Sequence, residues 1–291
     1  MASKPHFAQG PVISLLLAAT LWGVIWYPLR QLDQHGLNGL WSSVVSYSVA
    51  LLAGLLYALW YRPEWRKDPA RLALLALASG WCNVAFVIAV IDGTVVRVLL
   101  LFYLSPVWSV LLARWLLGER ASRMALGVVG LALAGALVIL WDEALGLPWP
   151  QVAADWLALS SGFAFALSNV LVRHMHQVSL AAKTIVTWAG VVLVALFWLW
   201  LGGYALPHTT PATVWGAAAL GLFGIVIMTL AVQYGVTHMP VHRSAVILLF
   251  EVLVGAVSSQ WLAQEVIGSR ELIGGALIVV SAYFAARSHL Y

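Results

Sequence analysis

Apolar residues fill this 291-residue chain in blocks of roughly 20, and polar residues collect in the short connections between them. A helix needs about 20 residues, at 1.5 Å each, to cross the hydrocarbon core of a bilayer. The pattern predicts ten helices, over residues 11–31, 38–60, 71–91, 95–117, 123–141, 151–173, 181–201, 212–235, 242–263 and 270–287. The connections carry turn or charge signals: YRPEWRKDPAR after the second helix, DEALGLPWPQ after the fifth and GGYALPHTTPA after the seventh. None is long enough for a separate soluble domain. A transmembrane barrel would show alternating segments of about ten residues instead. Lipid offers no hydrogen bonds, so each block must satisfy its own backbone by coiling.

Composition agrees. Hydrophobic residues make up 63% of the chain and charged residues 9%, with a mean hydropathy of +0.93. A soluble domain carries about 25% charged residues, so much of this surface must face lipid. The expected class is an all-α integral membrane protein, multi-pass, in the inner (plasma) membrane. The N-terminal MASKPHFAQG leads into the first span without a small-residue cleavage site after it, and reads as part of an uncleaved helix. Cys82 is the single cysteine, so no intrachain disulfide framework is expected.

The net charge of +4 is explained by topology rather than by nucleic acid. With the N-terminus placed in the cytoplasm, Lys4, Arg62, Arg66, Lys67, Arg71, Arg114, Arg120, Arg123, Arg173, Lys183, Arg243 and Arg287 fall at cytoplasmic helix ends. Only Arg30, Arg97 and Arg270 fall on the other side. Short cytoplasmic loops are enriched in Lys and Arg, so both termini are expected inside.

An internal repeat follows. Residues 97–127 align without a gap on 243–273: Arg97 meets Arg243, Trp115 meets Trp261, and Glu119 meets Glu265. A weaker match sets WGVIWYPLR (22–30) beside FALSNVLVR (165–173). Chance similarity between apolar helices is the alternative; three matched positions at one offset argue against it. Two halves of five helices are expected, 1–145 and 146–291. Five is odd, so the second half must enter the membrane inverted. Inverted repeats are a recurring plan of secondary transporters, with the substrate held near the midplane between the halves.

The segments ending LLGER and WLAQEV, each followed by a glycine-rich helix (LGVVGLALAGALVIL and IGGALIVVSAYFAA), resemble the paired signature of the drug/metabolite transporter superfamily, EamA type. The resemblance covers essentially the whole chain. It implies a transporter of amino acids, other metabolites or toxic compounds, in a superfamily that also includes sugar-nucleotide carriers. One departure stands out. Members of the family often carry a Glu-Pro pair in the ninth helix; here Glu251 precedes Val252, and proline appears in the first half as Ser105-Pro106.

Glu251 is the leading functional candidate. In VILLFEVLVGAV it lies roughly 13 Å into its span, near the midplane. A bare carboxylate there costs about 2.5–3.5 kcal/mol on insertion scales, so it must be protonated, paired or facing a wet cavity. Ser244 and Ser258, seven residues either side, and Gly255, four on, share its face on a straight helix. The functional reading is an acid that binds a proton or a substrate ammonium; the bland one is a carboxyl hydrogen-bonded to a neighbouring helix. Arg97, near the outer end of the fourth helix, offers a planar fork for a carboxylate; the alternatives are snorkelling or a pair with Asp92. Pro106 and Gly255 are candidate hinges, and Pro28 reads like Pro106. Most tryptophans belong in interfacial belts. The family's central cavity is lined by helices one, three, four, six, eight and nine, so the resemblance implies substrate contacts from Trp22, Trp26, Trp81, Asn83, Ser105, Trp108, Ser168, Asn169, Gln233 and Tyr234.

Other chemistry is poorly supported. His174, His176, His238 and His242 read as surface histidines of cytoplasmic loops, without a convergent ligand set. Glu119 reads as a partner of Arg114, Arg120 or Arg123. No phosphate-binding glycine loop, cofactor motif or nucleophile–base set appears, so an ATP-driven pump would need another subunit and an enzyme is not expected. The expected activity is proton-linked or uncoupled export of a small amino-acid-like or zwitterionic metabolite. The alternatives are a lipid-carrier translocase of the same fold, or an exporter of organic cations or drugs. A homodimer through LGVVGLALAGA is possible in principle, as is packing of those glycines within one chain.

Overall fold

The computed structural model describes residues 9–93, 95–141, 150–263 and 268–287. Glu265, the repeat mate of Glu119, lies outside them. Among the described residues every regular element is a helix. Nine are long and apolar enough to cross a membrane: α1 Gln9–Gln34, α2 Gly39–Tyr61, α3 Pro69–Asp92, α4 Arg97–Leu117, α5 Arg123–Leu140, α6 Ala153–His174, α7 Leu180–Leu201, α8 Pro211–His238 and α9 Val241–Leu262. A further helix, α10 (Ser269–Arg287), has a shorter apolar stretch, Leu272–Ala286. The chain is a multi-pass membrane protein.

The helix starts are written locally. Asn38, Ser122, Ser179 and Thr210 each accept a bond from the backbone N–H three residues on, at 3.0–3.3 Å, satisfying donors the helix leaves open. Gly118, with φ of +68°, ends α4 in the left-handed conformation that suits glycine.

Packing depends on small residues that let backbones approach, as lipid provides no hydrophobic drive between helices. α3 lies along both α6 and α7, and α2 along α7 and α8. Gly80 and Gly190 sit where α3 and α7 touch: a side chain on Gly190 would strike the Ala76 carbonyl. Gly221 of α8 meets the Ser46 backbone of α2 in the same way. α5 and α10 cross through Gly135 and Gly274, each facing the other's carbonyl. The glycines of α5 thus divide: Gly135 packs within the chain, and Gly127 and Gly130 face open space.

Three helices are interrupted. α1 breaks at Ile25, three residues before Pro28. α4 stops at Phe102 and restarts at Ser105, where Pro106 has no N–H to offer the Phe102 carbonyl. α9 stops at Leu248 and restarts at Phe250, with no proline nearby. Both α4 and α9 are closely crossed at the break. Gly162 of α6 lies against the Phe102 carbonyl, and Gly23 of α1 against the Glu251 carbonyl. A Cβ at these glycines would stand 2.6 and 2.8 Å from those oxygens.

Candidate functional site

The two breaks bring the site together. Glu251 opens the second segment of α9, and Tyr103 occupies the gap in α4. The Tyr103 hydroxyl donates to Glu251 Oε1 at 2.7 Å, across two helices that touch. Both side chains are partly buried. The Phe102 ring lies 5.5 Å from that of Tyr103, and Phe86 and Phe165 lie 4.9 and 5.5 Å from Phe102. Cys82 of α3 is within electrostatic reach of Glu251 and is held by Ser161, whose hydroxyl donates to the Cys82 carbonyl at 2.7 Å. Next to it, Asn83 lies beside Tyr47, with its Oδ1 buried and unpartnered.

The other residues singled out from sequence separate into two groups. Trp22 and Trp26 of α1 are partly buried near α9, and Trp26 Nε1 donates to Ser258 Oγ at 2.9 Å. Ser258 in turn donates to the Gly23 and Gly255 carbonyls. Ser258 and Gly255 therefore join α9 to α1, and Ser244 bonds back to Val241 within its own helix. The stripe drawn through Ser244, Glu251 and Ser258 assumes a straight α9; the break at Leu249 divides it. Trp108 stacks edge-on with Phe163 at 5.7 Å, and its Nε1 is buried without a partner. Ser105 and Pro106 are buried at the restart of α4, and Asn169 is buried in α6.

A second group serves other contacts. Trp81 Nε1 donates to Ser160 Oγ at 3.1 Å, and its ring meets Trp198 edge-on. Ser168 bonds to the Phe165 carbonyl. Gln233 is fully engaged with α7, accepting from Thr184 and donating to Thr187, both at 3.0 Å. Tyr234 is exposed beside Gly10 and stacks on His238.

Arg97 is buried, and its partner is not Asp92. Its Nε donates to Asp155 Oδ2 at 2.8 Å. The same oxygen accepts from the backbone N–H groups of Gln151 and Val152, so one carboxylate closes the start of α6 and ties it to α4. Arg243 caps the far end of α10 by donating to the Ala285 and Ala286 carbonyls. Glu119 does not pair with its sequence neighbours. It accepts from Arg173 Nε and from the Val241 backbone, both at 3.1 Å, because the left-handed Gly118 turns the chain back across the bundle. Arg173 also donates to the Thr237 carbonyl at 2.7 Å. His242 is buried rather than on a loop surface, as it lies inside the first turn of α9.

Tyr103, Asp155 and Lys183 were not singled out by sequence. Lys183 is fully buried, donating to Thr237 Oγ1 at 2.8 Å and to the Val172 carbonyl at 3.3 Å. Asp155 had a readable signal, an acid in the first turn of a helix. Tyr103 had only its place three residues before a mid-span proline.

The profile of the EamA-like transporter family matches this chain twice, over residues 10–141 and 152–287. The chain is similar to a "probable terminal-alkyne amino-acid exporter" of Streptantibioticus cattleyicolor, 29% identical over 296 aligned positions covering 96% of this chain and 94% of that one. It is similar to a "probable amino-acid metabolite efflux pump" of Escherichia coli, 22% identical over 92% of each chain. It is also similar to the protein RarD of Streptomyces exfoliatus, 28% identical over 79% of this chain and 72% of that one. A crystal structure shares the fold with a TM-score of 0.77 at 16% identity, across 95% of this chain and 97% of its own. This is a membrane transporter rather than an enzyme, and it belongs to the EamA-like transporter family.

Proposed function

We propose that this protein is a secondary exporter of a small amino-acid-like metabolite, working by alternating access in the inner membrane. The observation that carries the reading is the Tyr103–Glu251 bond at the two helix breaks, with the Phe102 ring beside Tyr103 and Phe86 and Phe165 against Phe102. An ammonium group suits such a place, with a carboxylate to pair with and aromatic faces to lie against. Glu251 takes either the ammonium or a proton, and Tyr103 holds the carboxylate between turnovers. Two buried atoms without partners are offered to the rest of the substrate: Asn83 Oδ1 as acceptor and Trp108 Nε1 as donor. Arg97 already holds a carboxylate in Asp155. Its proposed part is to keep α4 against α6 at the outer mouth rather than to take the substrate's carboxylate.

The chain is read as ten spans in two inverted halves, 1–145 and 146–291, with both termini and the Arg-rich end in the cytoplasm. Several observations support this. The family profile matches twice. The Tyr103 and Leu249 breaks align in the frame that pairs Arg97 with Arg243. The helix contacts also map onto themselves when five is added to each helix number: α3 with α6 and α8 with α1, α4 with α6 and α9 with α1. The breaks give each half a flexible joint at the depth where the substrate sits.

The test is counterflow in proteoliposomes with radiolabelled amino acids and their derivatives, paired with thermal shift. A zwitterion should stabilise the protein, since a ligand at 100 times its Kd adds about 2.7 kcal/mol. Glu251→Gln should abolish transport while leaving the fold intact. Full activity in Glu251→Gln, or stabilisation only by compounds lacking an ammonium, overturns the reading.

A further inference from the structure

A cavity of about 280 Å³ opens between the end of α4 and the start of α5, away from the central site. Its lining combines two arginines, Arg114 and Arg120, with apolar Val110, Ala121 and Leu126. The π-helical turn Ala113–Leu117 carries Arg114, and the loop closed by Gly118 carries Arg120. Neither arginine has a carboxylate partner among the described residues. Glu119, between them in sequence, has both oxygens occupied by Arg173 and the Val241 backbone. The surroundings face lipid: Trp115 is 80% exposed and Leu126 47%.

We propose that this cavity binds the headgroup of an anionic phospholipid, with its acyl chain lying along Val110 and Leu126. Three features of the cavity select that occupant. Two uncompensated guanidinium forks suit a phosphodiester, which they can engage bidentately. The apolar wall continues onto a lipid-facing surface, which a soluble anion would leave unused. The cavity lies at the end of the bundle that gathers the basic connections: Arg173 ties the loop after α4 to the end of α8, and Asp68, before α3, lies within electrostatic reach of His174 at the end of α6. Basic pockets between helices at an Arg-rich membrane face attract anionic headgroups. The site lies on the α4–α5 joint, immediately beside the Glu119–Arg173 contact, so a bound lipid would brace that end of the bundle.

The experiment uses the full-length protein in nanodiscs of phosphatidylcholine, with phosphatidylglycerol added in steps. Thermal stability is followed, and retained lipid is counted by native mass spectrometry. The expected result is a rise in Tm of several degrees with one retained phosphatidylglycerol, at least fivefold weaker in Arg114→Gln/Arg120→Gln. Ala121→Trp, which fills the cavity without removing charge, should weaken retention as well. It provides the reading if the double variant does not fold. Arg66→Gln/Lys67→Gln, an equal loss of charge on another connection, should leave retention unchanged. The proposal fails if that control loses the lipid equally, which would mean diffuse attraction to the whole face. It also fails if inorganic phosphate in solution gives the same stabilisation as the lipid, or if the cavity variants retain lipid like the wild type.

Discussion

Asp155→Asn distinguishes a structural Arg97 from a substrate-binding one. Asp155 is 1% exposed and Arg97 8%, and the pair closes at 2.8 Å. Asparagine keeps an oxygen for the Gln151 and Val152 amides, so the cap on α6 survives and the change removes chiefly the countercharge. Removing one partner of a buried ion pair costs about 3–5 kcal/mol, because the remaining charge loses its countercharge. At roughly 2–4 °C per kcal/mol for a chain of this order of size, Tm should fall by roughly 6–20 °C. Arg97→Met should cost a similar amount, for the mirrored reason. The double variant Arg97→Met/Asp155→Leu buries no charge, and an apolar replacement of a buried pair is often neutral. It should therefore recover at least half of either single loss, so that the two single losses exceed that of the double variant by about 4.5 kcal/mol or more. The assay is thermal unfolding in detergent, with proteoliposome counterflow on the same preparations. If Asp155→Asn leaves Tm within about 2 °C of the wild type and Arg97→Met abolishes transport without destabilising, the structural account of Arg97 is wrong and its guanidinium belongs to the substrate.

Further expectations follow from the same contacts. Glu119→Gln removes the charge facing Arg173 in a pair with side chains 29% and 23% exposed; such pairs contribute about 1 kcal/mol or less, so its Tm should change far less than that of Asp155→Asn. Gly190→Ala drives a methyl into the Ala76 carbonyl and should cost at least about 1–3 kcal/mol as overpacking. Gly130→Ala meets nothing within 4 Å and should stabilise by up to about 1 kcal/mol through helix propensity, unless a second copy packs there, when dimer and stability fall together. Pro106→Ala should preserve transport within a few-fold, since Gly162 still crosses at Phe102, whereas Gly162→Ala should lose it in counterflow. The hydrogen bond from Arg71 holds the Asp68 carboxyl below its ordinary range. A depressed carboxylate stabilises above its ordinary range and loses the effect as pH falls through its lowered value, so the Tm gap between wild type and Asp68→Asn should be present at neutral pH and close as the carboxylate protonates in acid.

Much of the architecture was written in single residues set against a uniform background. In a chain that is 63% hydrophobic, helix lengths follow from bilayer thickness, and a lone glutamate in VILLFEVLVGAV is conspicuous because lipid makes it costly. The partners were not legible, because each lies on a helix distant in sequence. Arg97 and Asp155 are 58 positions apart, and Tyr103 and Glu251 are 148 apart. Tyrosine is also ambiguous by nature: the same side chain serves an interfacial belt, a core or a site, and only its neighbours decide. Gln233 shows the converse. A buried amide looks like a ligand in sequence, yet Thr184 and Thr187 of α7 engage both its oxygen and its nitrogen.

The breaks explain where sequence geometry failed. Reading Ser244, Glu251 and Ser258 as one face requires an unbroken period of 3.6 residues through α9, and Leu249 interrupts it. The proline rule locates the break in α4 but not the one in α9, where no proline occurs. What the two share is a glycine on the crossing helix, Gly162 at Phe102 and Gly23 at Glu251. Each admits a neighbouring backbone close to a carbonyl oxygen at the edge of the broken turn. A Cβ at either position would push the helices apart and remove the contact that accompanies the break. The site is therefore specified less by the helices that carry Tyr103 and Glu251 than by the small residues on α6 and α1 that let those helices be crossed at one depth. That is why a polar pair can stand there, with backbone freed from the helical ladder beside it, in a protein otherwise built to be insoluble in water.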